Sequence, residues 1–151
     1  MPTPDVVLKA IARALNGDTE GGLALIQPLV DAGPTSTYAL LGDLADIASR
    51  RARTANREGH MFVFTVEGRD GEPVSVDDLP LPERFAGRFI AAWANGDADT
   101  AQALFWAAAD HADINRTYDL ADGISAVFDS AATVAGEVLA EKRRQKMGDP
   151  A

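Results

Sequence analysis

Apolar side chains recur along most of this chain at the spacing of a helix. Val7, Leu8, Ile11 and Leu15 fall at i, i+1, i+4 and i+8, one face of a first helix. Thr3-Pro4-Asp5 opens that helix with a hydroxyl cap, a proline at the first helical position and an acid in the first turn. Asn16-Gly17 supplies a left-handed C-terminal cap, and Asp18 or Thr19 caps the next helix. The second helix carries Leu23, Ile26, Leu29 and Val30, with Pro28 inside it predicting a kink or an early end. Gly33-Pro34 ends it. Thr35 or Ser36 then caps a third helix with Leu40, Leu41, Leu44, Ile47 and Ala48 inward.

The pattern changes in kind after residue 60. Met61–Val66 is rich in β-branched and aromatic residues, Glu67-Gly68-Arg69-Asp70-Gly71 is turn chemistry, and Pro73–Val76 resumes alternation. This predicts a β-hairpin, Met61–Val66 paired with Glu72–Val76, docked on the helices by one face. Phe62, Phe64 and Val66 share one face and Met61, Val63 and Thr65 the other, so the pattern leaves the buried face open. Asp77–Pro82 reads as an extended linker.

Helical spacing then returns. Phe85, Phe89, Ile90 and Trp93 mark a fourth helix, and Leu104, Phe105 and Ala108 a fifth over about 98–111. A long last helix over about 114–145 carries Tyr118, Ala121, Ile124, Val127, Phe128, Ala131, Val134, Val138 and Leu139, with Gly123 a place to bend.

The two helical stretches resemble each other. At a shift of 79, Lys9–Asp31 meets Arg88–Asp110 with eight identities in 23 positions, including Asn16-Gly17-Asp18 on Asn95-Gly96-Asp97. Two readings stand: an internal duplication, or two helical units that share the same caps. The expected architecture is mainly α. It is a single compact domain of two similar three-helix units joined by a β-hairpin, with a long C-terminal helix. Its parts are 1–58 (first helical unit), 61–76 (hairpin), 77–82 (linker), 83–145 (second helical unit) and 146–151 (tail).

Composition narrows the chemistry. The chain has 151 residues, 46% of them hydrophobic, which suits one packed domain. It has no cysteine, which excludes disulfides, thiolate catalysis and thiolate metal centres. No stretch approaches 18 consecutive apolar residues, and no basic, apolar leader is present, so the expectation is a soluble cytoplasmic protein with no membrane partner.

The candidate sites each have a plain alternative. Asp110-His111-Ala112-Asp113 is an acid–histidine cluster, yet dipole complementation and capping explain every member. His60 has no serine in a Gly-x-Ser-x-Gly setting to serve. Glu20-Gly21-Gly22 lacks the spacing and lysine of a phosphate loop. No catalytic, cofactor-binding or metal-ligating residue is assigned, and no cofactor is expected.

Charge is uneven. The formal net charge is −9, but Arg50, Arg51, Arg53 and Arg57 form one basic cluster, and Lys142, Arg143, Arg144 and Lys146 a second. Both read as helix C-termini, where cations offset the dipole, or as contacts for an anionic partner. Trp93 and Trp106 read as core, or as interface anchors where exposed.

The sequence therefore points to a non-catalytic protein-interaction or self-association module, of the kind found as a phage or mobile-element accessory factor. Its partner would be another protein or a second copy of itself. One alternative is binding of nucleic acid or another anionic partner through Arg50–Arg57 and the basic C-terminal helix end. Another is a small-ligand binder or enzyme with its site between the two helical units.

Overall fold

A computed structural model describes residues 3–55, 66–67, 72–75, 78–110 and 120–148. Among these residues the protein is mainly α, with six helices. They are α1 (Thr3–Leu15), α2 (Thr19–Asp31), α3 (Pro34–Ala55), α4 (Leu81–Ala94), α5 (Ala98–Asp110) and α6 (Leu120–Gly148).

The β-hairpin expected to join two helical units is not present. Among the described residues there is a two-residue antiparallel ladder, β1 (Val66–Glu67) on β2 (Pro73–Val74), with Val66 opposite Val74 and Glu67 opposite Pro73. Within it Pro73 has no N–H to give, and beyond it the Asp78 N–H donates to the Ser75 carbonyl at 3.0 Å, ahead of α4. The expected strand positions Met61–Thr65, like Arg57, His60, His111 and Tyr118, lie outside the described residues. So do residues 76–77 and 111–119, and with them the end of the expected second strand and parts of the expected linker and of the start of the last helix.

The caps follow from local sequence. Helix α1 closes with two bonds: Gly17 N–H to the Ala14 carbonyl at 3.0 Å, and Asp18 N–H to the Arg13 carbonyl at 2.9 Å. This is a Schellman closure, and it requires the left-handed backbone of Gly17, φ +90°. Helix α4 closes in the same way, with Gly96 (φ +73°) to Trp93 at 3.1 Å and Asp97 to Ala92 at 2.9 Å. The aspartate after each glycine then opens the following helix. Asp18 accepts from the Gly21 N–H at 2.9 Å, and Asp97 from the Thr100 N–H at 3.2 Å and hydroxyl at 2.6 Å. At the shift of 79 the backbone bonds of the two turns are alike; the side chains differ, with the Thr100 hydroxyl on Asp97 and the Arg13 guanidinium on Asp18 at 3.4 Å.

Helix α2 runs through Pro28 for three more residues. The expected early end is replaced by a stop at Gly33, where the Thr37 hydroxyl donates to the carbonyls of Gly33 and Val30. Linker position 81 and Pro82 belong to α4, with a proline in its first turn.

One cluster of buried side chains joins all six helices. Its centre is Leu40, Leu41 and Leu44 of α3, Phe85, Phe89 and Ile90 of α4, Phe105 of α5, and Ile124, Val127 and Phe128 of α6. Val7, Ala10 and Ile11 of α1 and Ile26 of α2 complete it. Each large apolar side chain buried here contributes about 1.5–3 kcal/mol. Gly22 lets α2 approach α1: a Cβ there would stand 2.6 Å from the Ala10 carbonyl oxygen.

Two parts of the apolar pattern do not reach the core. Leu8 and Leu15 are exposed on the flank of α1. Beyond Ala131, α6 keeps apolar positions at Val134 and Val138 that are only partly buried, and Leu139 is exposed. By length and composition α6 is apolar enough to cross a membrane, contrary to the expectation from consecutive apolar runs. Its inward face nevertheless belongs to the core, through Ile124, Val127, Phe128 and Ala131.

Candidate interaction surfaces

Tyr38, Gly42 and Asp46 lie at i, i+4 and i+8 on α3, one above another on a single face. The small residue in the middle makes room for a ring. Trp93 of α4 fills it: a Cβ on Gly42 would stand 2.5 Å from Cη2 of the indole. The Trp93 Nε1–H donates to Asp46 Oδ1 at 2.8 Å, which fixes the ring's rotation.

Aromatic contacts extend this seat across three helices. The Tyr38 ring meets Phe89, Trp93 and Phe105 edge-on, at centroid distances of 6.0, 5.7 and 5.5 Å. Along α4, Phe85, Phe89 and Trp93 stack in sequence at 5.7 and 6.0 Å. On α5, Phe105 packs edge-on against Trp106 at 5.2 Å. Phe105 is buried, whereas Trp106 leaves 49% of its surface in solvent.

The Tyr38 side chain also bonds Gln102 of α5. Gln102 and Trp106 are one helical turn apart on the same face of α5. A continuous ledge therefore runs from Asp46 through Trp93, Tyr38 and Gln102 to Trp106. Burial pushes the Tyr38 phenol above its ordinary value, and the Gln102 bond opposes the shift. Asp43, next to Asp46 at the acidic end, has its carboxyl raised first by desolvation and then by the Asp46 charge.

The structure thus places the two tryptophans in different roles. Trp93 is a partly buried post that locks α4 to α3, and Trp106 is an exposed ring. Tyr38 and Gln102 link them. Sequence reasoning missed Tyr38, Gly42, Asp43, Asp46 and Gln102. The signal was the Tyr–Gly–Asp stripe at four-residue spacing, an aromatic and an acid flanking a gap.

The basic clusters are separate features. Lys142, Arg143, Arg144 and Lys146 are all exposed in the last turns of α6, where cations face the negative end of the helix dipole. Arg50 is exposed on α3, one turn beyond Asp46. Arg51 and Arg53 lie on the same helix.

Among the described residues, no group of three or more histidine, aspartate or glutamate side chains converges as a metal site. The contacts of α3 with α4 and α6 are filled by Leu40, Leu44, Phe89 and Val127, all fully buried. No protein-family model, curated protein or solved structure matches the chain.

Proposed function

We propose that the protein is a non-catalytic protein-interaction or self-association module that works through the ledge of α3, α4 and α5. The observation that carries this reading is Trp106. A tryptophan half in solvent, supported from beneath by the buried Phe105 ring, has the form of an interface anchor. The rigid aromatic row behind it reduces the entropy lost on binding, because few side chains remain to be ordered.

The test is Trp106→Ser, which changes an exposed side chain and leaves the core intact. Wild type and variant are compared as immobilised baits and in chemical crosslinking of the purified protein, with helical content checked by circular dichroism. The reading expects the variant to lose at least tenfold in captured partner or crosslinked species. Equal behaviour of the two proteins in both assays removes it.

A second reading is supported by the exposed Lys142, Arg143 and Arg144: contact with a nucleic acid or another anionic partner. It expects the double variant Arg143→Glu, Arg144→Glu to lose salt-sensitive retention on immobilised oligonucleotide. Unchanged retention counts against it.

A further inference from the structure

We infer that the protein associates with itself head to tail, the basic end of α6 in one copy seating on the Trp106–Trp93 ledge of the next. This rests on the interaction-module reading and names its partner.

The ledge has a definite chemical preference. It offers the half-exposed indole of Trp106, the partly buried rings of Trp93 and Tyr38, and two carboxylates, Asp46 and Asp43, at one end. Arg50, exposed one turn beyond Asp46, borders the acidic end, and from Asp46 to Trp106 the named residues carry no cation. Such a surface favours cations on long apolar stems, which lie on aromatic faces while their charged ends reach an acid. Guanidinium groups suit it best, since they stack on indoles and pair with carboxylates.

The chain carries that complement itself. Lys142, Arg143, Arg144 and Lys146 supply four cations in five residues with no acid among them, on a chain whose net charge is −9. All four are exposed on a helix that continues to Gly148. Met147, 87% exposed, lies one turn from Arg143 on the same face. Its thioether suits an indole edge.

Within one copy the two surfaces do not cover each other. Trp106 and the α6 cations are all exposed in the single chain, so the pairing they permit is between copies. The two faces differ, so the contact is heterologous. Such a contact propagates into rings or open chains rather than stopping at a two-fold dimer. A helix end on a ledge buries less than the roughly 1,200 Å² of a standard interface. The association is therefore weak and is screened by salt.

Light scattering after size exclusion, and sedimentation velocity, test this on the full chain over a concentration series. At low salt the wild-type mass is expected to rise beyond two copies as concentration increases, and to fall to one copy at high salt. The ledge variant Trp106→Ser and the tip variant Arg143→Glu, Arg144→Glu should each be monomeric with unchanged helical content. An equimolar mixture of the two variants should stop at two copies, because only one good tip and one good ledge can meet.

Four results overturn the inference. One is wild-type protein that stays monomeric at low salt. Another is an oligomer that both variants retain, which keeps self-association but removes this contact. The third is wild type that is monomeric yet held by an oligonucleotide that the tip variant no longer binds, which reassigns the tip to nucleic acid. Loss of a partner other than itself in Trp106→Ser, with monomeric wild type, would overturn the head-to-tail contact and leave the broader reading standing.

Discussion

The indole N–H of Trp93 and the carboxylate of Asp46, 47 residues apart in the chain, meet at 2.8 Å. This bond fastens α4 to α3 and forms the middle of the aromatic ledge. Asp46→Ala leaves the indole N–H without its acceptor and is expected to cost about 1 kcal/mol, at the lower end for a charged partner because the pair is solvent-accessible. Asp46→Asn keeps an acceptor and should cost less. Urea unfolding of both variants, followed by far-ultraviolet circular dichroism, measures the difference. Equal stability of the alanine variant and wild type would show that water replaces the bond at no loss.

Gly42 is the other half of that seat. Gly42→Ala improves helix propensity on α3, which alone would stabilise. The added methyl would stand 2.5 Å from the Trp93 ring, which must move. The steric effect is expected to win, with a net loss of about 1–3 kcal/mol and a shift in tryptophan emission. A stabilised variant with unchanged emission would contradict this placement of Trp93.

Asp43 gives a pH dependence. Its carboxyl is raised by desolvation and by Asp46, so the folded state binds this proton more tightly than the unfolded state. Its ionisation therefore opposes folding. The contribution is favourable below the ordinary carboxylate pKa, about 3.9, and is lost as pH rises through the higher folded value. Asp43→Asn should raise Tm at pH 7 and make no difference at pH 3. Thermal scans at the two pH values check the sign. A lower Tm at pH 7 would mean that a cation compensates Asp43.

The two Schellman turns predict matched penalties. Gly17 and Gly96 hold φ +90° and +73°, where an L side chain is strained. Alanine at either position is expected to cost about 1–2 kcal/mol. The two sites do not share partners, so the double variant should show the sum of the single effects. Chemical denaturation of the three proteins measures this. A clear difference between the sites would mean that the turns, alike in backbone bonds, bear different loads.

These cases mark what was legible in the chain. The helices were visible because caps and apolar spacing agreed, as at Asn16-Gly17-Asp18 and in the Leu40–Leu41–Leu44 stripe. Leu8 and Leu15 misled because they border the inward stripe. Ala10, buried between Val7 and Ile11, does the packing that pattern reading assigned to the larger leucines. In α6 the apolar spacing runs past Ala131, while Val138 is only partly buried. Periodicity records which face is apolar and not how far a neighbour extends. The hairpin expected over 61–76 is not present: β-branched alternation is a preference that a proline without an N–H and a turn at Ser75 do not support, and positions 61–65 lie outside the described residues. The ledge was hidden for a different reason. Trp93 and Asp46 meet through tertiary structure, and nothing local announces a contact across 47 residues. Its trace in the sequence was the Tyr38–Gly42–Asp46 stripe, which shows a gap but not what fills it.

The two Asn-Gly corners have a consequence for how the protein ages. Asparagine followed by glycine is the dipeptide most prone to spontaneous deamidation, since an unobstructed glycine nitrogen attacks the asparagine side-chain carbonyl and expels ammonia to form a succinimide, which water opens to aspartate or isoaspartate. In this fold both nitrogens are engaged. Gly17 N–H is given to Ala14 at 3.0 Å and Gly96 N–H to Trp93 at 3.1 Å, with the backbone of each held left-handed. The attack requires the corner to open first. Isoaspartate at Asn16 or Asn95 in stored protein would thus be a chemical record of time spent with α1 or α4 uncapped, written separately for each half of the chain.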